Sequence, residues 1–369
     1  LFIDLGTDGT FGPGDFIAFY GERNDGWLDT TLYEDPSWQG NPKYSLYNDT
    51  IQYFLTWNNQ TNNARYLIET DTDFPSYTPS DYIIFETSAF YNSAYNEGEK
   101  TSDASSSFYM PGEGWGNIPI NGVNGYTLNI PAATPFAYTN PGSPPSFFEA
   151  VSVSNSNAAF SGLGNHHLQF TVGASDFIIE DTIFTGYKAI NIAKNFPSSA
   201  LNAANTPLKW RIIGDQGAAT DFQSLNYWSI RYPRIPNLGN ANNLTFSVQN
   251  NDFQSKIRLD LSNLVYSDPY VFVNGTIPRK VPLIENTGVY SMLIPNDGTT
   301  AEQKVIFQDG STFLNITTLT PVNQTGFFRN FSAINVEKAL LMVYPSLLQA
   351  ATVEYVEYRM SSFGGAHNV

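Results

Sequence analysis

The stretch Asn165-His-His-Leu-Gln-Phe-Thr-Val172 sets Leu168, Phe170 and Val172 on one parity and His167, Gln169 and Thr171 on the other. Successive side chains of a strand point to opposite faces, so this pattern predicts a strand with an apolar face on a core and a polar face in water. Working outward, strand-sized runs recur at 177–180, 188–193, 208–213 and 228–232, separated by turn residues. Short strands at that spacing predict a β-sandwich or jelly roll. A second series follows Pro233, at 244–248, 257–261, 270–273, 289–294 and 304–308, and predicts a smaller β module.

Toward the N-terminus the signal is turn chemistry. Asp8-Gly9, Gly12-Pro13-Gly14-Asp15 and Asn24-Asp25-Gly26 punctuate the short apolar run 16–20, and such dipeptides imply hairpins. Ile51, Tyr53, Leu55 and Trp57 form a period-two set that predicts a strand over 51–57, paired with 66–69 across an Asn-rich turn. Between 74 and 140 the periodicity weakens and the stretch reads as long loops on a sheet. The proline-rich stretch 131–145 is the best boundary, because proline removes ladder donors.

Composition agrees with a mainly β chain. Of 369 residues 15% are aromatic, 28 are glycine and 22 proline, and only 14% are charged, which is low for helical surfaces. With 18 Lys and Arg against 34 Asp and Glu, the formal net charge is −16, which excludes nucleic acid as a partner and disfavours anionic lipid. No run of eighteen apolar residues exists, so no membrane insertion is expected. There is no cysteine, hence no disulfide and no thiol nucleophile within these residues.

The last forty residues change character. Ala339-Leu-Leu-Met-Val-Tyr344 is a continuous apolar run of strand length, and after Pro345 the residues Leu347, Ala351, Tyr355 and Tyr358 recur at helical spacing up to Gly364-Gly365. A fully apolar strand followed by a helix is the first half of a βαβ crossover, which needs a parallel second strand. The chain is therefore expected to be the front part of something longer. The whole divides into an N-terminal β-rich domain with long loops over 1–135, a jelly-roll-like sandwich over 146–236, a small β module over 237–333 and the start of an α/β domain over 334–369.

Several segments, taken in order, resemble the N-terminal region of gingipain-like cysteine peptidases of the type IX secretion system of Bacteroidota. They are Asp15-Phe-Ile-Ala-Phe-Tyr-Gly21, Asn24-Asp-Gly-Trp-Leu-Asp29, Leu32-Tyr33, Asn41-Pro42 with Ser45-Leu-Tyr-Asn-Asp-Thr50, and Tyr53-Phe-Leu-Thr56. Gly112-Glu-Gly-Trp115, Asn165-His-His-Leu168, Arg231-Tyr-Pro-Arg234 and Tyr344 through Ser361-Ser-Phe-Gly-Gly365 follow in the family's order. The type IX secretion sortase, a close cousin, shares this plan. The resemblance implies a secreted or outer-membrane surface protein whose catalytic histidine and cysteine lie downstream, in agreement with the absence of cysteine. It implies a non-catalytic region that covers or supports a downstream peptidase domain, with outer-membrane secretion components as further partners.

The candidate sites within the chain each have two readings. Asp8, Asp15, Asp25 and Asp29 surround tight turns and offer oxygen ligands for calcium, although their spacing matches no EF-hand and the same pairs belong to ordinary hairpin turns. His166 and His167 are adjacent on a strand, so they face opposite sides and do not converge on one metal ion. A serine hydrolase lacks its Gly-x-Ser-x-Gly elbow. Glu113, between glycines and beside Trp115, is the acid most suited to glycoside hydrolysis, against a plain surface loop. Trp27, Trp38 and Trp115 on predicted loops form a platform for cell-surface glycans, the alternative function of an adhesin, whereas Trp57, Trp210 and Trp228 sit in strand patterns and belong to cores.

Overall fold

The computed structural model describes residues 1–5, 9–56, 65–99, 108–298, 302–328, 330, 332, 337 and 339–368. They form two compact units, Leu1–Phe313 and Leu314–Val369. The first is built on β-sheets, and the only α-helix among the described residues lies in the second.

A ten-stranded sheet is the frame of the first unit. From one edge it runs Ala189–Phe196, Ser146–Ser154, Phe222–Arg234, Ile83–Phe90, Asn243–Gln249, Glu302–Asp309, Pro269–Asn274, Arg279–Lys280 and Leu67–Ile68, with Ile120–Asn121 pairing to the side of Phe222–Arg234. Beside the two-stranded pairs Phe2–Asp4 with Phe16–Ala18 and Ala94–Asn96 with Gly114–Gly116, two four-stranded sheets pack with it. Phe177–Phe184, His166–Val172, Asn205–Ile212 and Tyr126–Ala133 make one, antiparallel throughout. Asn237–Ala241, Lys256–Leu264, Val289–Pro295 and Ile284–Asn286 make the other.

Each four-stranded sheet shares its own core with part of the long one. Leu168, Phe170, Leu208, Trp210 and Ile212 pack with Phe148, Leu225, Trp228 and Ile230 in the first core. Leu259, Leu261, Met292 and Ile294 pack with Phe246, Val271, Val305 and Phe307 in the second. The alternating parity read from 166–172 is thus realised: Leu168, Phe170 and Val172 are fully buried. Trp210 is also fully buried, and its indole N–H is satisfied by Ser152 Oγ at 3.0 Å, as a buried indole requires.

The strand Ile83–Phe90 lies within the stretch expected to be loops. It sits between Phe222–Arg234 and Asn243–Gln249; its first two residues are both buried and its more exposed parity carries Phe90 with Glu86 and Ser88, so apolar and polar residues do not alternate cleanly. Tyr126–Ala133, also unexpected, is an edge strand, where Pro131 costs no ladder bond. Conversely, 51–56 form no strand, and Trp57 lies outside the described residues. Tyr53 instead packs at a tilt against Phe19, with ring centroids 5.2 Å apart, and bonds the main chain of Glu22, while Leu67–Ile68 pairs in parallel with Arg279–Lys280.

In the second unit the helix expected over 347–359 forms as Gln349–Met360, preceded by a 3-10 turn, Ser346–Leu348. It closes on Ser361, whose N–H bonds Glu357 and Tyr358 carbonyls, so Gly364-Gly365 lie beyond the cap. The strand expected over 339–344 does not form. Ala339 makes a single parallel bridge to Asn368, and Leu340 N–H donates to Asn368 O at 2.8 Å. A strand of this composition needs sheet neighbours on its edges and layers on its faces, and one rung supplies neither.

Candidate functional site

The segment 24–49 lies across the first unit on a scaffold of buried polar side chains. Gly26 begins it: its φ is +87°, and a Cβ there would stand 3.0 Å from Ser45 Cα, so only glycine fits the close approach of the two stretches. Asp29, 7% exposed, accepts from Ser45 Oγ at 3.0 Å and Leu46 N–H at 2.7 Å. Gln39 donates to Gly26 O at 3.2 Å and accepts from Thr30 Oγ1 at 2.6 Å. Asn41 Nδ2 reaches the carbonyls of Tyr91, Trp115 and Asn226 at 3.0–3.1 Å, and Asn226 Nδ2 returns a bond to Gly40 O at 2.8 Å. Asn226 sits where the strand Phe222–Arg234 shifts register, and such an irregularity frees a side chain to aim elsewhere.

Glu113 and Trp115 join this scaffold. The Glu113 carboxylate accepts from Tyr95 Oη at 2.8 Å and from Met110 N–H at 2.9 Å. Its main-chain oxygen takes Tyr33 Oη at 2.7 Å and Gly40 N–H at 3.2 Å. Burial, followed by the Glu113 charge, pushes both phenols above the usual tyrosine range, so they act here as neutral donors. Trp115 donates Nε1–H to Leu46 O at 3.3 Å and is packed at near right angles against Tyr44 and Tyr95, with ring centroids 6.2 and 5.4 Å away. Trp27 differs: it is 62% exposed.

The three described aspartates each serve their own turn or scaffold bonds. Asp15 accepts from Gly12 N–H at 2.7 Å and Asp25 from Trp27 N–H at 3.1 Å, both as turn residues, and Asp29 is committed to Ser45 and Leu46. Asp8 lies outside the described residues. Among the described residues no group of three or more His, Asp or Glu is arranged to hold a metal ion.

The adjacent histidines face opposite sides of their strand, as their parity requires. His166 is fully buried, with Nδ1 2.6 Å from Asp221 Oδ1, Nε2 2.9 Å from the Ser156 carbonyl, and Phe184 stacked at 4.9 Å. A main-chain carbonyl, not a hydroxyl, occupies its second nitrogen, so the arrangement is not a nucleophilic triad. His167 lies between Asp181 at 2.6 Å and Asp215 at 2.9 Å. Burial alone would lower its pKa, but the two carboxylates outweigh it and raise the imidazole above its ordinary 6.5. Together the pair holds both ends of 215–221, a connection the sequence reading did not identify because its carboxylates lie 48 and 55 residues away.

No family model matches the chain and no curated protein matches it. Among solved structures, dimeric latent PorU from Porphyromonas gingivalis is similar with a TM-score of 0.44 and 12% identity, over 67% of this chain and 22% of that one. The chain thus spans about a fifth of that protein's length. The infectious bursal disease virus Gx strain overlaps with a TM-score of 0.16 and 10% identity, over 61% of this chain and 60% of that one. At these scores neither neighbour bears on function.

Proposed function

We infer that the chain is the non-catalytic, β-rich front region of a secreted or cell-surface gingipain-like cysteine endopeptidase of the type IX secretion system, and that 339–368 open its α/β domain. The observation that carries this reading is the bridge between Ala339 and Asn368. The helix Gln349–Met360 returns the chain so that Asn368 runs parallel to Ala339, and parallel neighbours joined through a helix are the connection used by α/β sheets. A second support is that Asn24–Asp29, 41–50 and 112–115, three of the segments that carry the resemblance, meet in one buried polar scaffold.

With no cysteine in these residues, the thiolate and its histidine belong to the downstream part of the polypeptide, and the region described here covers or buttresses that part. The test is the downstream coding sequence and its product. The expected result is a histidine and a cysteine beyond Val369, peptide hydrolysis by the full polypeptide, and loss of that hydrolysis on Cys→Ser substitution or thiol alkylation. A downstream sequence without a cysteine overturns the reading.

A further inference from the structure

The scaffold under 24–49 keeps apolar side chains in water as well as tying the segment down. Trp27, Leu28 and Tyr47 are 62%, 56% and 71% exposed. The two stretches that bear them are laced together: Asn24 N–H donates to Asp49 O at 2.9 Å, Asn24 Nδ2 to Asn48 O at 2.7 Å, and Asp29 holds Ser45 and Leu46 from beneath. A buried carboxylate and a buried glutamine thus fix a loop that leaves Trp27 and Tyr47 outside, while Tyr33 is buried and Trp38 half-buried. A rigid loop that displays an indole, a leucine and a phenol has already met the ordering cost of binding, which is the arrangement found at interface hot spots. Exposed apolar surface grouped in this way marks a contact site.

Charge identifies the partner. Residues 22–49 hold six carboxylates against two cations. Both cations lie over rings of the ten-stranded sheet, Arg23 4.2 Å from the Phe90 centroid and Lys43 5.8 Å from that of Tyr227, and those two rings are cross-strand neighbours. Asp25 and Asp49 each stand two residues from one of these rings, Trp27 and Tyr47, and Asp25 accepts from the Trp27 N–H at 3.1 Å. A second copy would bring its own net charge of −16 to the same acidic rim. A neutral glycan would make no use of that rim.

We propose that Trp27, Leu28 and Tyr47, flanked by Asp25 and Asp49, form a docking surface for a polypeptide segment in which apolar side chains alternate with Lys or Arg. This surface is separate from the downstream chemistry inferred above and stands if that inference fails.

The full chain, labelled so that each indole N–H is seen by NMR and Trp27 is assigned through Trp27→Phe, is titrated with a synthetic Leu/Lys peptide and with its Leu/Glu counterpart. The Leu/Lys peptide is expected to shift the Trp27 resonance, with Kd weakened about tenfold in Trp27→Ala. Tyr47→Ala serves as the second variant and is expected to weaken it in the same direction. Asp25→Asn with Asp49→Asn should flatten the salt dependence. Undiminished affinity in both aromatic variants would mean that the peptide binds the acidic surface at large, and overturns the proposal. So does equal binding of the Leu/Glu peptide, a shift of Trp27 by cello- or chito-oligosaccharide in place of the peptide, or self-association that Trp27→Ala abolishes.

Discussion

The strand His166–Val172 and the run 339–344 are both apolar enough for a core, yet they meet opposite surroundings. Leu168, Phe170 and Val172 are fully buried, while Leu341 and Val343 are 86% and 90% exposed. The first has antiparallel partners on both edges, Phe177–Phe184 and Asn205–Ile212, and a second layer over its apolar face. The second has one parallel rung. Apolar composition states what a segment will tolerate, and neighbours decide whether it is buried. No described residue of Leu314–Val369 is buried, so the helix there rests on its own backbone bonds and on contacts such as the Tyr355 and Tyr358 rings, 6.2 Å apart.

The sharpest way to break this comparison is to truncate one apolar residue packed beside His166–Val172 and one from the run 339–344. Trp210→Ala removes the centre of the first core and the bond to Ser152, and should cost about 3–5 kcal/mol in urea or thermal unfolding. Leu341→Ala should change the same transition by less than about 0.5 kcal/mol. Equal losses would mean that the two regions do not differ as described.

Asn41→Ala should rank next. It leaves the buried carbonyls of Tyr91, Trp115 and Asn226 without this donor, at about 2–3 kcal/mol, with hydrogen exchange rising first in 24–49. Unchanged exchange in that segment would show that the scaffold does not hold it.

A smaller effect concerns pH and the polar parity of His166–Val172. Because His167 binds its proton more tightly folded than unfolded, its contribution is complete below about 6.5 and fades as pH rises through the raised folded value. Asp181, through its bond from His167, and Asp215, through bonds from Gln216 and then His167, are held below their ordinary 3.8. Their contribution is present above that value and fades as pH falls below it. With the two carboxylates 41% and 49% exposed, each pair is worth below about 1 kcal/mol. His167→Gln should flatten the decline of stability above neutrality; an unaltered stability–pH curve would remove the ion pairs from the account.

The smallest expected effect is that of ending the chain at Phe313. The main unfolding transition of 1–313 should match that of the full chain within about 0.5 kcal/mol, read by calorimetry. A large drop would show that the second unit supports the first.

Among candidate residues, the opposite facing of His166 and His167 was legible, because strand parity is a local property. Their carboxylates were not, since Asp221 and Asp215 reach them only after Asn205–Ile212 has paired beside their strand. Glu113 and Trp115 drew attention as a glycine-flanked acid beside a tryptophan. Their partners, Tyr95 and Leu46, come from other parts of the chain, and the buried asparagines that complete the scaffold carried no signal beyond the resemblance.

By itself, then, the amino-acid sequence determined the mainly β class, the parity of the strand His166–Val172, the helix after Pro345 and the lack of cysteine within these residues. These follow from side-chain alternation, helical spacing and composition, all of which act over a few residues. Only the tertiary structure decided that one long sheet serves more than one core, that Ile83–Phe90 fills its middle, that 51–56 form no strand, and that Trp27 faces water while Trp115 is packed. Strand pairing and buried hydrogen bonds join residues tens to hundreds of positions apart, and no local pattern encodes which partner arrives.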